Sequence, residues 1–277
     1  MSEDKKTVFI TGCSSGIGYH CAKRVKEENE FHVIASARKE EDVQRLISEG
    51  IQALRMDLND SMSIKNGFDE VLDKSKGGLY AVFNNAGFGQ PGAIEDLSRT
   101  ALKEQFETNL FGNVELTNLA IKFFRKKKEG KIIQNSSILG FVSFKYKGAY
   151  NASKFALEAV SDALRLELKG SGISVALIEP GPIRTDFRKN AYEKFKKYIE
   201  FQNSYHKDNY KKSIERFQSD KDDPFTLDSE AVYIVLKKIL KSKYPKARYQ
   251  VTIPTKLFWT LKRVLPTYLL DMIVDKI

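Results

Sequence analysis

The chain has 277 residues, of which 42% are hydrophobic and 30% charged, the proportions of a soluble globular protein with a real core. That length suits one large α/β domain or two small ones. Two cysteines, Cys13 and Cys21, match neither a zinc site nor a C-x-x-C pair, and His20, His32 and His206 are scattered without ligand spacing, so no protein-bound metal is expected.

Lys and Arg (46) outnumber Asp and Glu (36), giving a net charge of +10. Such an excess permits contact with nucleic acid, anionic lipid or a phosphorylated cofactor. It is spread along the chain, with small clusters at 125–128 and 194–197 and no aromatic-basic nucleic-acid motif beside them. It therefore reads as a Lys-rich solvated surface, and no nucleic-acid partner is expected. The charged opening, Met1 to Lys6, runs straight into an apolar strand without a secretory h-region, and a cytoplasmic location is expected.

In chain order, Lys6 to Thr11 reads as a short buried strand and leads directly into Gly12-Cys-Ser-Ser-Gly16-Ile-Gly18. A helical run from Tyr19 to Glu28 follows, then a strand over Phe31–Ser36. Strand, glycine turn, helix and strand within about thirty residues is the unit that sets a pyrophosphate at a helix N-terminus. The alternation continues with helix 41–49, strand 52–56, helix 61–74 and strand 79–83. Two helices, 98–108 and 110–126, precede a strand at 131–134. Strand 173–178 then leads to Glu179-Pro180-Gly181-Pro182. Alternation of this kind argues for a parallel sheet with helices on both faces, and with no repeat or low-complexity linker it reads as a single domain, 1–277.

From Arg188 to Asp223 the pattern changes. That segment is rich in Lys, Tyr and Phe and reads as one or two amphipathic helices, either a mobile lid over the sheet or a solvated excursion. Regular structure resumes with helix 229–240 and strand 248–252. The apolar tail, 254–277, is interrupted by Pro266 and too broken by Lys262, Arg263 and Asp271 to span a bilayer. It can pack on its own domain, on a second subunit, or lie in a membrane interface, expected in that order.

Within the long helical stretch before strand 173–178, Tyr150 and Lys154 stand four apart and so share one helix face. An ammonium beside a phenol favours the phenolate, lowering its pKa from about 10, which makes a plausible proton-transfer pair. Y-x-x-x-K is also an ordinary solvated face in many proteins. The neighbouring motifs tip the balance. Thr11 to Gly18, Asn84-Asn85-Ala86-Gly87, Asn109, Ser137, Tyr150 with Lys154, and Pro180-Gly181 occur in that order. The set resembles the short-chain dehydrogenase/reductase family over nearly the whole chain. Within it the chain looks most like bacterial NADP-dependent aldehyde reductases, and more distantly like the type 1 17β-hydroxysteroid and the retinol dehydrogenases.

The resemblance implies a Rossmann-type doubly wound parallel sheet of strand order 3-2-1-4-5-6-7. It implies Tyr150 as general acid, Lys154 as its electrostatic partner and ribose ligand, Ser137 as the hydrogen-bonding partner of the substrate oxygen, and Asn109 as keeper of a helix irregularity. Ser137 is preferred to Ser136 because it lies thirteen residues before Tyr150. The cofactor is expected on Gly12, Ser14, Ser15, Gly16, Ile17 and Gly18, on Arg38, Asp57, Leu58, Asn84, Ala86 and Gly87, and on Pro180, Gly181, Ile183 and Thr185, besides Tyr150 and Lys154. At the end of the second strand stand Ser36-Ala37-Arg38, with no acid before Glu40. An acid there would take a ribose 2′-hydroxyl and an Arg takes a 2′-phosphate, so NADP(H) is expected over NAD.

These readings lead to an NADPH-dependent reductase of aldehydes or ketones. A hydroxysteroid, retinol or lipid-intermediate oxidoreductase with the same machinery is the alternative, suited by the aromatic 188–223 segment and the apolar tail. A non-catalytic NADP-sensing protein is disfavoured by the intact Tyr and Lys. The family likeness also implies a homodimer or homotetramer built on helices 110–126 and 149–169.

Overall fold

The apolar runs form seven short strands: β1 (Thr7–Ile10), β2 (His32–Ala37), β3 (Gln52–Arg55), β4 (Leu79–Asn84), β5 (Gly130–Asn135), β6 (Ile173–Glu179) and β7 (Arg248–Gln250). In the computed structural model, which describes residues 5–219 and 221–276, they lie in the order β3-β2-β1-β4-β5-β6-β7. Every pairing is parallel, with Phe9 beside Ile34 on one side and Val82 on the other. β1 and β4 are nearly continuous apolar runs, and β5 is buried along its whole length, because both faces are covered.

The helices in chain order are α1 (Gly16–Glu28), α2 (Glu40–Ser48), α3 (Ser61–Lys74), α4 (Arg99–Phe106), α5 (Gly112–Lys127), α6 (Gly148–Glu167), α7 (Phe187–Tyr198), α8 (Lys207–Gln218), α9 (Glu230–Lys241), α10 (Ile253–Val264) and α11 (Thr267–Val274). One face of the sheet packs against α1, α2 and α9 through Cys21, Val25, Leu46, Leu236 and Ile239. The other packs against α3 and α5 through Phe68, Val71, Leu116 and Phe124. Buried Lys131 on β5 donates to the last carbonyls of α9, Ile239 (2.6 Å) and Leu240 (2.8 Å), satisfying groups a helix C-terminus leaves unpaired.

Three expectations are revised. The pair of helices before β5 is one bent run: α4 passes into a π-helical turn, Glu107–Phe111, and on into α5. Asn109 lies in that turn, buried, and its side chain engages Phe88 instead of solvent, so the helix widens without ending. The last strand stops at Gln250, not Thr252, because Thr252 caps α10 by accepting from the Thr255 amide and Pro254 presets the first helical turn. The 188–223 segment is no solvated excursion. Its apolar side chains hold it down: Phe195, Ile199 and Tyr210 are buried against Ala93, Leu97, Ala101 and Ala149.

The tail packs on its own chain. Phe258 of α10 and Leu270 of α11 are buried against Ile138, Leu139 and Val142 in the loop after β5, and Phe144 meets Phe258 edge-on at 5.9 Å. No helix among the described residues is long and apolar enough to cross a membrane.

Candidate active site

The sheet reverses direction of winding at β1, between β2 and β4, and the crevice at such a switch point is where ligands settle in open α/β sheets. The glycine turn forms its floor. Gly12 has φ +70°, and a Cβ there would lie 2.7 Å from the Ala86 Cα. At Gly18 a Cβ would come within 2.3 Å of the Gly12 carbonyl oxygen. Any side chain at either position would push the turn apart. Ser15 is the N-cap of α1 yet makes no side-chain cap, so the first amides of α1, at Gly16, Ile17 and Gly18, are left for an anion. A turn that bare at a helix N-terminus fits a pyrophosphate.

The other expected cofactor residues surround this turn. Arg38 leaves the end of β2 exposed, and its backbone carbonyl accepts from Arg55 Nε at 3.1 Å. Asp57 follows β3, its carboxylate accepting the Asn59 amide at 3.0 Å, and Leu58 is buried beside the start of α5. Ala86 and Gly87 follow β4. The Asn84 side chain is turned into the core, donating to Thr117 at 2.8 Å, so any ribose contact falls to its backbone. Pro180 and Gly181 follow β6, with the Pro180 carbonyl accepting the Ile138 amide at 2.8 Å. Ile183 bridges to Leu227, which brings Thr185 against Gly16 across the mouth of the turn.

Tyr150 and Lys154 share the first turns of α6, the Lys154 Nζ lying 5.7 Å from the phenol ring centre. Lys154 is buried and donates to the Asn135 carbonyl at 2.7 Å. Burial pushes its ammonium down to about 8, against the pull of Glu158. Burial likewise pushes the Tyr150 phenol up to about 12, only partly offset by its hydrogen bond with Ser137. In the protein alone, loss of water therefore holds the phenol up, opposite to the lowering expected from Lys154. Ser137 also caps the 3₁₀ turn Ile138–Gly140, accepting the Leu139 amide at 3.1 Å. Ser136 instead faces the carboxyl of Glu158. Asn109 does not touch Lys154; it donates to Phe88 O (2.9 Å) and Ser153 Oγ (3.2 Å), tying the β4 loop to α6.

Several site residues escaped the sequence reading. The Thr11 hydroxyl accepts the amides of Asn85 and Ala86, each at 3.1 Å, and Asn85 Nδ2 donates to the Thr11 carbonyl at 3.0 Å. Asn135 Nδ2 donates to Asn85 at 2.8 Å while its own carbonyl holds Lys154. Thr11, Asn85 and Asn135 thus brace the glycine turn against the base of Lys154. Thr11 and Asn85 were already inside recognised motifs, whereas Asn135 carried no signal beyond adjoining the Ser pair. Arg45 of α2 reaches back to the Ser14 carbonyl, adding a guanidinium at the glycine turn. Only the fold brings it there.

A family model described as short chain dehydrogenase matches residues 6–196. The chain belongs to the short-chain dehydrogenase family. It is 41% identical to the oxidoreductase YbbO of Escherichia coli (strain K12), over 98% of this chain and 94% of that one. The NADPH-dependent 3-dehydrocapnine reductase of Ornithobacterium rhinotracheale is 32% identical, over 96% of this chain and 95% of its own. A short-chain dehydrogenase/reductase of Burkholderia phymatum, solved in complex with NAD, shares the fold with a TM-score of 0.77 and 21% identity, covering 95% of this chain and 94% of that one. This short-chain dehydrogenase is thus an oxidoreductase with the Rossmann-type sheet its motifs foretold.

Proposed function

We propose that the protein is an NADP(H)-dependent oxidoreductase that reduces an aldehyde or ketone to an alcohol. The observation carrying this reading is the cluster of buried Ser137 and Lys154 with half-buried Tyr150, beside an uncapped glycine turn. Bound NADPH supplies the hydride. Ser137 steadies the substrate oxygen as negative charge develops on it, and Tyr150 gives that oxygen its proton. Lys154, fixed by the Asn135 carbonyl, holds positive charge beneath the phenol. Asn109 keeps the π-helical turn and the β4 loop in register with α6. Arg38 takes the 2′-phosphate; Ser14 and Ser15 add hydroxyls, and Arg45 adds positive charge at the Ser14 carbonyl. The name of the Ornithobacterium relative, NADPH-dependent 3-dehydrocapnine reductase, points the same way. The deciding experiment is a panel of aldehydes and ketones with NADPH and NADH, run on wild type and Tyr150→Phe. Removal of the acid is expected to lower kcat by about 10²–10⁴ while NADPH affinity holds. No NADPH oxidation by wild type across the panel would sink the reading.

A second reading, a hydroxysteroid, retinol or lipid-intermediate dehydrogenase, is favoured by one feature. Phe187 meets the Tyr150 ring edge-on at 5.3 Å, so an aromatic wall stands over the reacting atoms. Human retinol dehydrogenase 8 is 33% identical over 68% of this chain and 62% of its own. Rates that climb with the length of an apolar substrate support this reading, and preference for short polar carbonyls excludes it. We further propose a cytoplasmic homodimer joined through α5 and α6. Exposed Phe111, Phe155 and Leu166, with Ala152, Ala159 and Ala163 exposed between them along α6, form the apolar stripe such a contact needs.

A further inference from the structure

The two tail helices are apolar on both sides. Phe258 of α10 and Leu270 of α11 bury their inner faces in one cluster on the loop after β5. The outer faces stand in solvent. Ile253, Leu257 and Val264 of α10 are 63%, 53% and 73% exposed, and Tyr268 and Met272 of α11 are 66% and 59% exposed. Helical spacing sets Ile253, Leu257, Thr260 and Val264 on a single stripe about 16 Å long. Tyr268 and Met272, four apart, share the face of α11 turned away from buried Leu270. Because both inner faces rest on the same loop, both outer faces look away from it. A soluble surface rarely leaves so many large apolar side chains together.

Charge decides what covers them. α10 carries Lys256, Lys262 and Arg263 and no acid. Lys256 and Arg263, seven apart, run along one edge of the stripe, and the Arg263 guanidinium lies 3.5 Å from the Trp259 ring centre. On α11 the acids are Asp271 and Asp275, and Asp275 is taken up by Lys145. An apolar stripe edged by cations suits a helix lying in the interface of an anionic bilayer, with its apolar side chains among the acyl chains and its cations at the lipid phosphates. A second copy meeting this face about a two-fold axis would set like cations against each other. Nucleic acid would engage the cations and leave the apolar stripe in water.

We infer that the outer face of α10 and α11 docks the protein on an anionic lipid surface. This docking does not depend on the reductase reading, but it bears on access to the site. The cluster beneath the two helices extends to Tyr150, and Thr252 and Thr255 at the head of α10 crowd Gly181. The docked face therefore backs onto the wall of the cleft.

Full-length protein is sedimented with vesicles of phosphatidylcholine alone and of phosphatidylcholine with an equal part of phosphatidylglycerol. Binding to the anionic vesicles is expected to be tighter by about tenfold or more, and to weaken as salt is raised. Trp259, the single tryptophan of the chain, stands on α10 and is expected to be quenched by brominated acyl chains. Leu257→Glu with Val264→Glu, both at exposed positions, is expected to weaken binding to anionic vesicles about tenfold with Tm unchanged. Ile234→Glu, at an exposed apolar position on α9, is expected to leave it intact. Lys256→Gln with Arg263→Gln spares the stripe and is expected to remove the preference for anionic vesicles. No sedimentation with either vesicle, equal binding to both, bound protein whose Trp259 is not quenched, or binding that survives Leu257→Glu with Val264→Glu overturns the inference. A change of oligomeric state in that variant, seen by light scattering without lipid, also overturns it and assigns the face to a second copy.

Discussion

At Tyr150 the surrounding protein and the one hydrogen bond from Ser137 pull in opposite directions, and burial wins, holding the phenol up at about 12. A proton that stays on the oxygen suits an acid waiting for a reduced carbonyl. The reverse reaction needs the phenolate, and the positive nicotinamide of NADP⁺ is the charge that would favour it. A tyrosinate titration, wild type minus Tyr150→Phe, is expected to show this phenol ionising well above pH ~10, the ordinary tyrosine value, and shifting down when NADP⁺ is added. Ionisation near neutrality in the free protein would show that Lys154, not burial, is in control. At the other end of the cleft, Arg38→Asp is expected to weaken NADPH binding by about ten- to hundredfold, as loss of a charge-assisted contact does, with little effect on NADH. Equal losses for both cofactors would take the 2′-phosphate away from Arg38.

Elements are locked together by a few buried polar groups. Tyr210 of α8 accepts the Ala93 amide at 2.7 Å and donates to Asp96, pinning the 188–223 segment to the loop after β4. Tyr210→Phe leaves that amide unpaired, so urea denaturation should register a loss of about 1–3 kcal/mol. The end of the sheet is tied by Arg248 of β7, which meets Glu158 of α6 at 3.0 Å, Asp162 at 2.7 Å and Glu179 of β6 at 3.1 Å. Burial, reinforced by Glu158, pushes the Glu179 carboxyl up from 4.5 to about 7 despite Gln250 and Arg248. Between those values the folded chain keeps a proton that the unfolded chain releases. Its contribution to stability is thus complete below pH ~4.5 and lost as pH rises through about 7. Glu179→Gln cannot lose that proton, and thermal melts should show the variant gaining about 1–3 kcal/mol over wild type between pH 5 and 8. An unchanged pH dependence would mean that Arg248 keeps Glu179 ionised.

For the whole molecule, the stripe through Phe155 and Leu166 predicts the state of assembly. Phe155 lies on the face of α6 opposite the buried Ser153 and Leu157, so a charge there leaves the core alone. Phe155→Glu should shift the species seen by light scattering from dimer to monomer with Tm close to wild type. A wild-type monomer would end the proposal.

Fold and chemistry were unequally legible in the amino-acid order. The parallel sheet, the glycine turn and the Ser137–Tyr150–Lys154 set are local or evenly spaced features: apolar runs, obligatory glycines and a four-residue helical step follow from backbone geometry within a few residues. The bent passage from α4 to α5 was not legible, because the widening at Asn109 depends on Phe88, twenty-one residues away. Nor was the Tyr150 pKa, since proximity in sequence reveals the ammonium but not the water removed around both groups. Asn135 and Arg45 acquire their positions beside Lys154 and Ser14 only through packing. Sequence by itself determined the family, the strand order and the spacing that sets Tyr150 and Lys154 on one helix face. Tertiary structure alone decided which polar and charged groups meet across the site, because pairing depends on distances between segments that no local pattern encodes.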